Sequence, residues 1–125
     1  MNILVVDDES NILLLYKEEL FKLSKEKWII KCAKTISDAL EILETQSIDL
    51  VISDIKLKDE NGCELVKLVK EKYADLPVIL NSAFSCYKDD YSAWICDGYC
   101  VKSADLHELY TEIQRVLIKR SKLHA

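Results

Sequence analysis

The sequence predicts a doubly wound α/β domain, five parallel strands alternating with five helices. Two observations lead to this class. Short apolar runs rich in Val, Ile and Leu recur at residues 3–6, 50–52 and 78–80, each followed by polar or turn-forming residues. Runs of that length and composition fit strands buried on both faces of a parallel sheet. The stretches between them carry apolar residues at helical spacing instead. Alternation of the two patterns implies right-handed crossovers, and so a parallel sheet with helices on both faces.

Residues 1–6 form the first strand. Asp7-Asp8-Glu9-Ser10-Asn11 turns into the first helix, with Asp8, Ser10 or Asn11 available as its cap. Leu13, Tyr16, Leu20 and Leu23 give that helix one apolar stripe, ending near Ser24. Residues 28–33 form the second strand, whose mixed pattern suits an edge. Thr35 and Asp38 have the spacing of a capping box. Ile36, Ala39, Leu40 and Leu43 then line the second helix, which ends near Gln46. The third strand is residues 49–53. Asn61-Gly62 opens the third helix, with Val66, Val69 and Tyr73 turned inward. Pro77, the single proline, stands where the fourth strand begins, and that strand runs to Asn81. Residues 82–95 carry the weakest pattern, with a short helix expected from Asp89-Asp90 through Tyr91, Ala93, Trp94 and Ile95. Asp97-Gly98 turns the chain into the fifth strand. Ser103 is the expected cap of the last helix, with Asp105 in its first turn. Leu106, Leu109, Ile113, Val116 and Leu117 form that helix's stripe. Lys119, Arg120 and Lys122 put cations at its C-terminal end, where the helix dipole favours them.

At 125 residues the chain is expected to be one domain, 1–125, large enough for a core. The net charge of −5 disfavours a nucleic-acid surface. No apolar run approaches the roughly 20 residues of a membrane span. Met1-Asn2 leads into a strand without a secretory leader, so a cytoplasmic domain meeting neither membrane nor nucleic acid is expected. Cys32, Cys63, Cys86, Cys96 and Cys100 make no Cys-x-x-Cys pair and no zinc spacing. They read as small packing residues kept reduced. Gly62 and Gly98 are the only glycines, too few for a P-loop or a dinucleotide fingerprint.

In open α/β sheets, ligands bind beyond the carboxyl ends of the strands. Asp7-Asp8-Glu9 follows the first strand, Asp54 the third, Ser82 the fourth and Lys102 the fifth. If the strands are parallel, carboxylates, a hydroxyl and an ammonium converge on one rim. Clustered carboxylates attract a hard divalent cation, and Mg2+ takes one or two of them while keeping positions for water and phosphate oxygens. A lysine beside them suits a phosphoryl group. The set reads as a Mg2+-assisted phosphoryl-transfer site with an aspartate nucleophile. Each residue alone has a plainer reading. Asp54 alone is a turn residue, Glu9 a helix-start acid, Lys102 a surface cation and Tyr99 a packing residue. Convergence favours chemistry for Asp7, Asp8, Asp54, Ser82 and Lys102, while Glu9 keeps its plain role. His107 and His124 lie off the rim, which disfavours a histidine nucleophile.

In this order and spacing the residues resemble a known family. The chain resembles, over essentially its whole length, the receiver domain of response regulators, the CheY-like phosphoacceptor module of two-component signalling. The resemblance is carried by Asp7-Asp8, Asp54, Ser82-Ala83, Tyr99 three residues before Lys102, and Gly62 eight residues after Asp54. It implies a flavodoxin-like fold with strand order 2-1-3-4-5. It implies that Asp54 is the phosphoacceptor, and that Asp7, Asp8, Asp54 and the backbone carbonyl of Lys56 hold Mg2+. Ser82 and Lys102 would bind the phosphoryl group. Ser82 and Tyr99 would form the switch, reporting to a face built from the fourth predicted helix, the fifth strand and the last helix. Lys56 and Phe84 would tune the lifetime of the phosphate. The implied partners are a histidine kinase or histidine phosphotransfer protein as donor, and a downstream protein or output domain. No output domain is expected within residues 1–125, and the chain would catalyse only its own phosphorylation and dephosphorylation. Ser103 and Lys58 stand where the family often has proline, and neither change removes a reactive group.

Two other functions compete. A degenerate receiver serving only as a binding module is disfavoured by the intact acidic pair, Asp54, Ser82 and Lys102. A small aspartate-nucleophile phosphatase of the haloacid-dehalogenase type has a second Asp two residues after the nucleophile, where Lys56 stands here. That class also carries its acidic metal pair late in the chain.

Overall fold

The computed structural model describes residues 1–83, 96–103 and 105–123. Strands β1 (Asn2–Val6), β2 (Ile29–Ala33), β3 (Leu50–Asp54), β4 (Val78–Ser82) and β5 (Gly98–Val101) form one sheet in the order β2-β1-β3-β4-β5. All four pairings are parallel. Four helices are described: α1 (Ser10–Leu23), α2 (Ile36–Thr45), α3 (Gly62–Lys72) and α4 (His107–Leu123). The expected short helix of residues 89–95 lies outside the described residues, as do Phe84, Cys86 and His124. Among the described helices, none is long and apolar enough to cross a membrane.

Alternation along the strands divides the core into two layers. Ile3, Val5, Ile52 and Ile79 pack with Leu13, Tyr16 and Leu20 of α1 and Leu109, Ile113 and Val116 of α4. Leu4, Val6, Val51 and Leu80 pack on the other face with Ala39 and Leu43 of α2 and Val66 and Val69 of α3. β3 and β4 are buried along their whole length because both faces are covered. β2 is an edge strand, as its mixed pattern suggested, and Ile29 is half exposed there.

Two expected caps form. The Thr35 hydroxyl accepts from the Asp38 N–H at 3.0 Å, and Asn61 Oδ1 accepts from the Cys63 N–H at 2.8 Å. Two others are corrected. The cap of α1 is Glu9, without a side-chain cap bond, and Asp7 Oδ1 accepts the Glu9 N–H at 2.9 Å. Asp8, Ser10 and Asn11 therefore do not cap it. At α4, Asp105 Oδ1 accepts the His107 N–H at 3.0 Å, while among the described residues Ser103 accepts from the Asp105 N–H at 3.2 Å. Asp105 takes the place expected of Ser103. β3 and β4 each run one residue past the expected end, so Asp54 and Ser82 are strand residues.

The α1–β2 turn holds two consecutive left-handed residues, Lys25 (φ 57°) and Glu26 (φ 65°). Buried Ser24 fixes the turn: its hydroxyl donates to the Phe21 carbonyl and accepts from the Trp28 N–H. A left-handed L-residue costs about 1–2 kcal/mol, only part of which glycine's extra chain entropy returns. Glu26→Gly is therefore expected to stabilise the fold by about 0.5–1 kcal/mol. Urea denaturation followed by circular dichroism measures it, and a lowered midpoint would contradict the account.

Candidate functional site

Parallel register brings the rim together. Val6 pairs with Ser53, so Asp7 and Asp54, each one residue further on, leave the sheet level with each other. Asp54 pairs with Asn81, and Asn81 with Cys100. These positions continue the α1/α4 face of the sheet. The Lys102 N–H donates to the Ser82 carbonyl at 2.6 Å, carrying the ladder one step beyond β5 and delivering Lys102 to the same edge.

There Lys102 Nζ lies 2.8 Å from Asp7 Oδ2 and 2.8 Å from Asp54 Oδ2. Asp7, Asp8 and Asp54 each bring a carboxylate oxygen to a cluster whose members all lie within 4.8 Å of one another. Asp7 is 2% exposed and Asp54 8%. Two like charges at that separation repel by about 3 kcal/mol at an effective dielectric of about 20. One ammonium among three carboxylates leaves two negative charges uncompensated. Burial pushes the Asp54 carboxyl above its ordinary value. The hydrogen bond and charge of Lys102 oppose that shift and Asp7 adds to it. Burial alone would lower the Lys102 ammonium, but its bonds to Asp54 and Asp7 outweigh burial and raise it. Lys102 thus stays charged.

The loop after Asp54 is closely fitted. A Cβ on Gly62 would stand 1.9 Å from the Asp54 carbonyl oxygen and 2.9 Å from Ser53 Oγ. Glycine is required because the two backbones touch. The Gly62 N–H donates to the Ile55 carbonyl at 2.6 Å, Lys56 and Asn61 form a β-bridge, and Leu57 is buried beneath. The Lys56 N–H donates to Asp54 Oδ1 at 3.3 Å, while the Lys56 residue itself is exposed. Asp8, Asp54, Lys56, Ser82, Ala83 and Lys102 line an open cleft of about 330 Å3.

Of the expected site residues, Asp7, Asp8, Asp54 and Lys102 meet, with buried Ser82 on the cleft wall. Tyr99 stands apart: half-buried, it packs on the α2/α3 core layer, and its N–H donates to Glu112 Oε2 at 3.2 Å. Phe84 lies outside the described residues. Two polar features escaped the sequence reading. Buried Asn81 donates through Nδ2 to the hydroxyl of buried Tyr16, directly beside Asp54. Glu60 reaches the start of α2. The only sequence signal for the first was an amide closing an apolar strand, and Tyr16 read simply as part of a stripe.

The donor set fits a hard divalent cation. Three carboxylate oxygens gather at an open cleft, hard ligands of the type Mg2+ takes, and their charge excess after pairing with Lys102 is two.

The family model for the response regulator receiver domain matches residues 3–114. Among solved structures, the chain is similar to the response regulator TrrA of Thermotoga maritima in complex with Mg2+-BeF. Identity is 38%, coverage 92% of this chain and 97% of that one, and the TM-score 0.84. The regulator of the same name bound to the histidine kinase ThkA is 39% identical, over 93% of this chain and 97% of that one, with a TM-score of 0.82. Among curated proteins, the heme response regulator HssR of Staphylococcus saprophyticus is 31% identical over 91% of this chain and 50% of its own length. The DNA-binding transcriptional regulator NtrC of Proteus hauseri is 30% identical over 93% of this chain and 24% of its own length. The chain thus spans about a quarter to a half of these curated relatives.

The raised Asp54 carboxyl gives a stability prediction. A carboxyl raised by folding contributes stability below its unfolded value, and that contribution is lost as pH rises through the folded value. Asp54→Asn removes the ionised form, so its melting temperature at neutral pH should equal or exceed wild type. The difference should vanish below the ordinary carboxyl value of 3.8. Thermal melts at the two pH values check this, and a large loss at neutral pH would refute it.

Proposed function

The chain belongs to the response regulator receiver domain family, and on that premise we propose that it is a phosphorylation switch with Asp54 as phosphoacceptor. The observation that carries the reading is Lys102 Nζ held 2.8 Å from both Asp7 and Asp54 at the carboxyl edge of the sheet. Buried, mutually repelling acids that share one lysine at an open cleft are the setting in which functional carboxylates are found.

An Asp54 carboxylate oxygen attacks the donor phosphorus in line. The new O–P bond forms as the donor's bond to phosphorus breaks, N–P in a phosphohistidine or O–P in an acyl phosphate. The leaving group keeps the electron pair, and a departing imidazole takes a proton from water. Lys102 turns from the two carboxylates to a phosphoryl oxygen as a point charge. The Ser82 hydroxyl donates to another. Asp7, Asp8, Asp54 and the Lys56 carbonyl would hold one Mg2+, which when bound offsets the charge of the phosphoryl oxygens. The Mg2+-BeF complex of TrrA supports this assignment. Ser82 and Tyr99 carry the new state to the face formed by β5 and α4.

The donor is a histidine kinase or histidine phosphotransfer protein, a reading supported by the complex of TrrA with a histidine kinase. The receiver of the signal is a downstream protein or an output domain, as the longer transcriptional relatives suggest. The chain works in the cytoplasm and acts catalytically on itself alone.

Incubation with acetyl phosphate and Mg2+ is expected to add one phosphoryl mass to the wild type and none to Asp54→Asn. Asp8→Ala should keep its fold and lose the Mg2+ dependence. An equal mass gain in Asp54→Asn would sink the assignment. Lys56 can only donate hydrogen bonds through its side chain, so it cannot orient an attacking water by accepting a hydrogen bond from it. Lys56→Asn introduces an acceptor and is expected to shorten the phosphate's half-life several-fold after the donor is removed. An unchanged decay would show that Lys56 does not set the lifetime.

A further inference from the structure

The first backbone donor of α2, the Ile36 N–H, bonds to Glu60 Oε1 at 3.0 Å. The acceptor comes from 24 residues away, in the loop that follows Asp54. A helix leaves its first N–H groups without partners of its own. Thr35 satisfies the Asp38 N–H, and Glu60 supplies the acceptor for Ile36. A carboxylate is favoured there by the helix dipole.

Glu60 is held by its loop. The Leu57 N–H donates to the Glu60 carbonyl at 3.1 Å, inside the Lys56–Asn61 bridge, and buried Leu57 anchors the interior. Asn61 caps α3, and the Gly62 N–H returns to Ile55. The β3–α3 loop is therefore a compact unit whose outer tip is tied to α2. The other end of the β2–α2 connection is tied too, since the Asp7 N–H donates to the Ala33 carbonyl at 3.0 Å. Ala33-Lys34-Thr35-Ile36 is thus a four-residue bridge. One end grips the loop of Asp7 and Asp8, and the other grips the loop of Lys56.

We propose that Glu60 is a positioning residue for the metal site. Through the Ile36 N–H it fixes the β3–α3 loop, and with it the Lys56 carbonyl, relative to Asp7 and Asp8. The inference rests on the reading of those groups as the ligands of Mg2+. A loop already placed costs the incoming cation no ordering, whereas a loosened loop must be ordered at the expense of affinity.

The test is a titration of the full chain with Mg2+ alone, followed by NMR at the Asp8 and Lys56 amides, with metal-free melting temperatures alongside. Glu60→Ala is expected to weaken Mg2+ binding about five-fold, the effect of losing one cap-strength contact. Glu60→Gln keeps the acceptor without the charge and should stay within about two-fold of wild type, because neutral acceptors cap nearly as well as charged ones. Ile36→Pro removes the donor instead, together with the packing of the buried Ile36 side chain, so its affinity is read beside its metal-free melting temperature. Proline suits the first helical position, and Thr35 before it is already extended (φ −134°, ψ 162°). Ile36→Pro should weaken binding as Glu60→Ala does, and the two together should add nothing further. Equal affinity in Glu60→Ala, or a lowered melting temperature with unchanged affinity, overturns the proposal. So does a Glu60→Gln as weak as Glu60→Ala, which would mean charge alone. If the wild type itself shows no saturable response, the metal reading fails and the Glu60 role falls with it. If the wild type binds and Glu60→Ala binds equally, only the positioning role fails.

Discussion

An ammonium 2.8 Å from each of two buried carboxylates is the contact on which the carboxyl edge of this sheet depends. β1 and β3 are neighbours and leave the sheet in acids at the same level, so Asp7 and Asp54 face each other with almost no water to screen them. Asp8 adds a third carboxylate. Lys102 offsets part of that repulsion, while burial above all, with a smaller push from Asp7, keeps the Asp54 carboxyl above its ordinary value. The same imbalance prepares the rim for a cation and a phosphoryl group. Structure and proposed chemistry thus share one electrostatic origin.

The surrounding backbone makes the arrangement rigid. Gly62 touches the Asp54 carbonyl so closely that no side chain fits between them. Leu57 is buried under the loop, and α3 starts immediately after it. On the opposite face, Tyr16 and Asn81 place a buried hydrogen bond beside Asp54. Such a pair stabilises less than its strength in isolation suggests, yet losing one partner would strand the other without water. Both faces of the sheet therefore hold β3 and β4 in register at the point where register sets the site.

Membership of the receiver family agrees with this physical account without replacing it. The similar structures share the fold over nearly their whole chains, while the curated relatives are two to four times longer than the region they share. What is common is the receiver module. The Glu60 contact with α2 is a tertiary feature of this fold, joining residues 24 positions apart.

The strand runs, the helical stripes and the order of acid, acid, hydroxyl and lysine were legible in the sequence, because burial on both faces and strand-end chemistry are local patterns. They were enough to place Asp7, Asp8, Asp54, Ser82 and Lys102 on one rim. Strand ends and caps were less legible. α1 starts after Glu9, which makes no side-chain cap bond, and at α4 Asp105 rather than Ser103 accepts the His107 N–H. Tertiary structure alone decided which carboxylates share Lys102, that Asn81 meets Tyr16, and that Glu60 reaches Ile36. Each of these contacts joins residues 24 to 95 positions apart. Local propensity has no reach over that distance, and the pairing register of the sheet does.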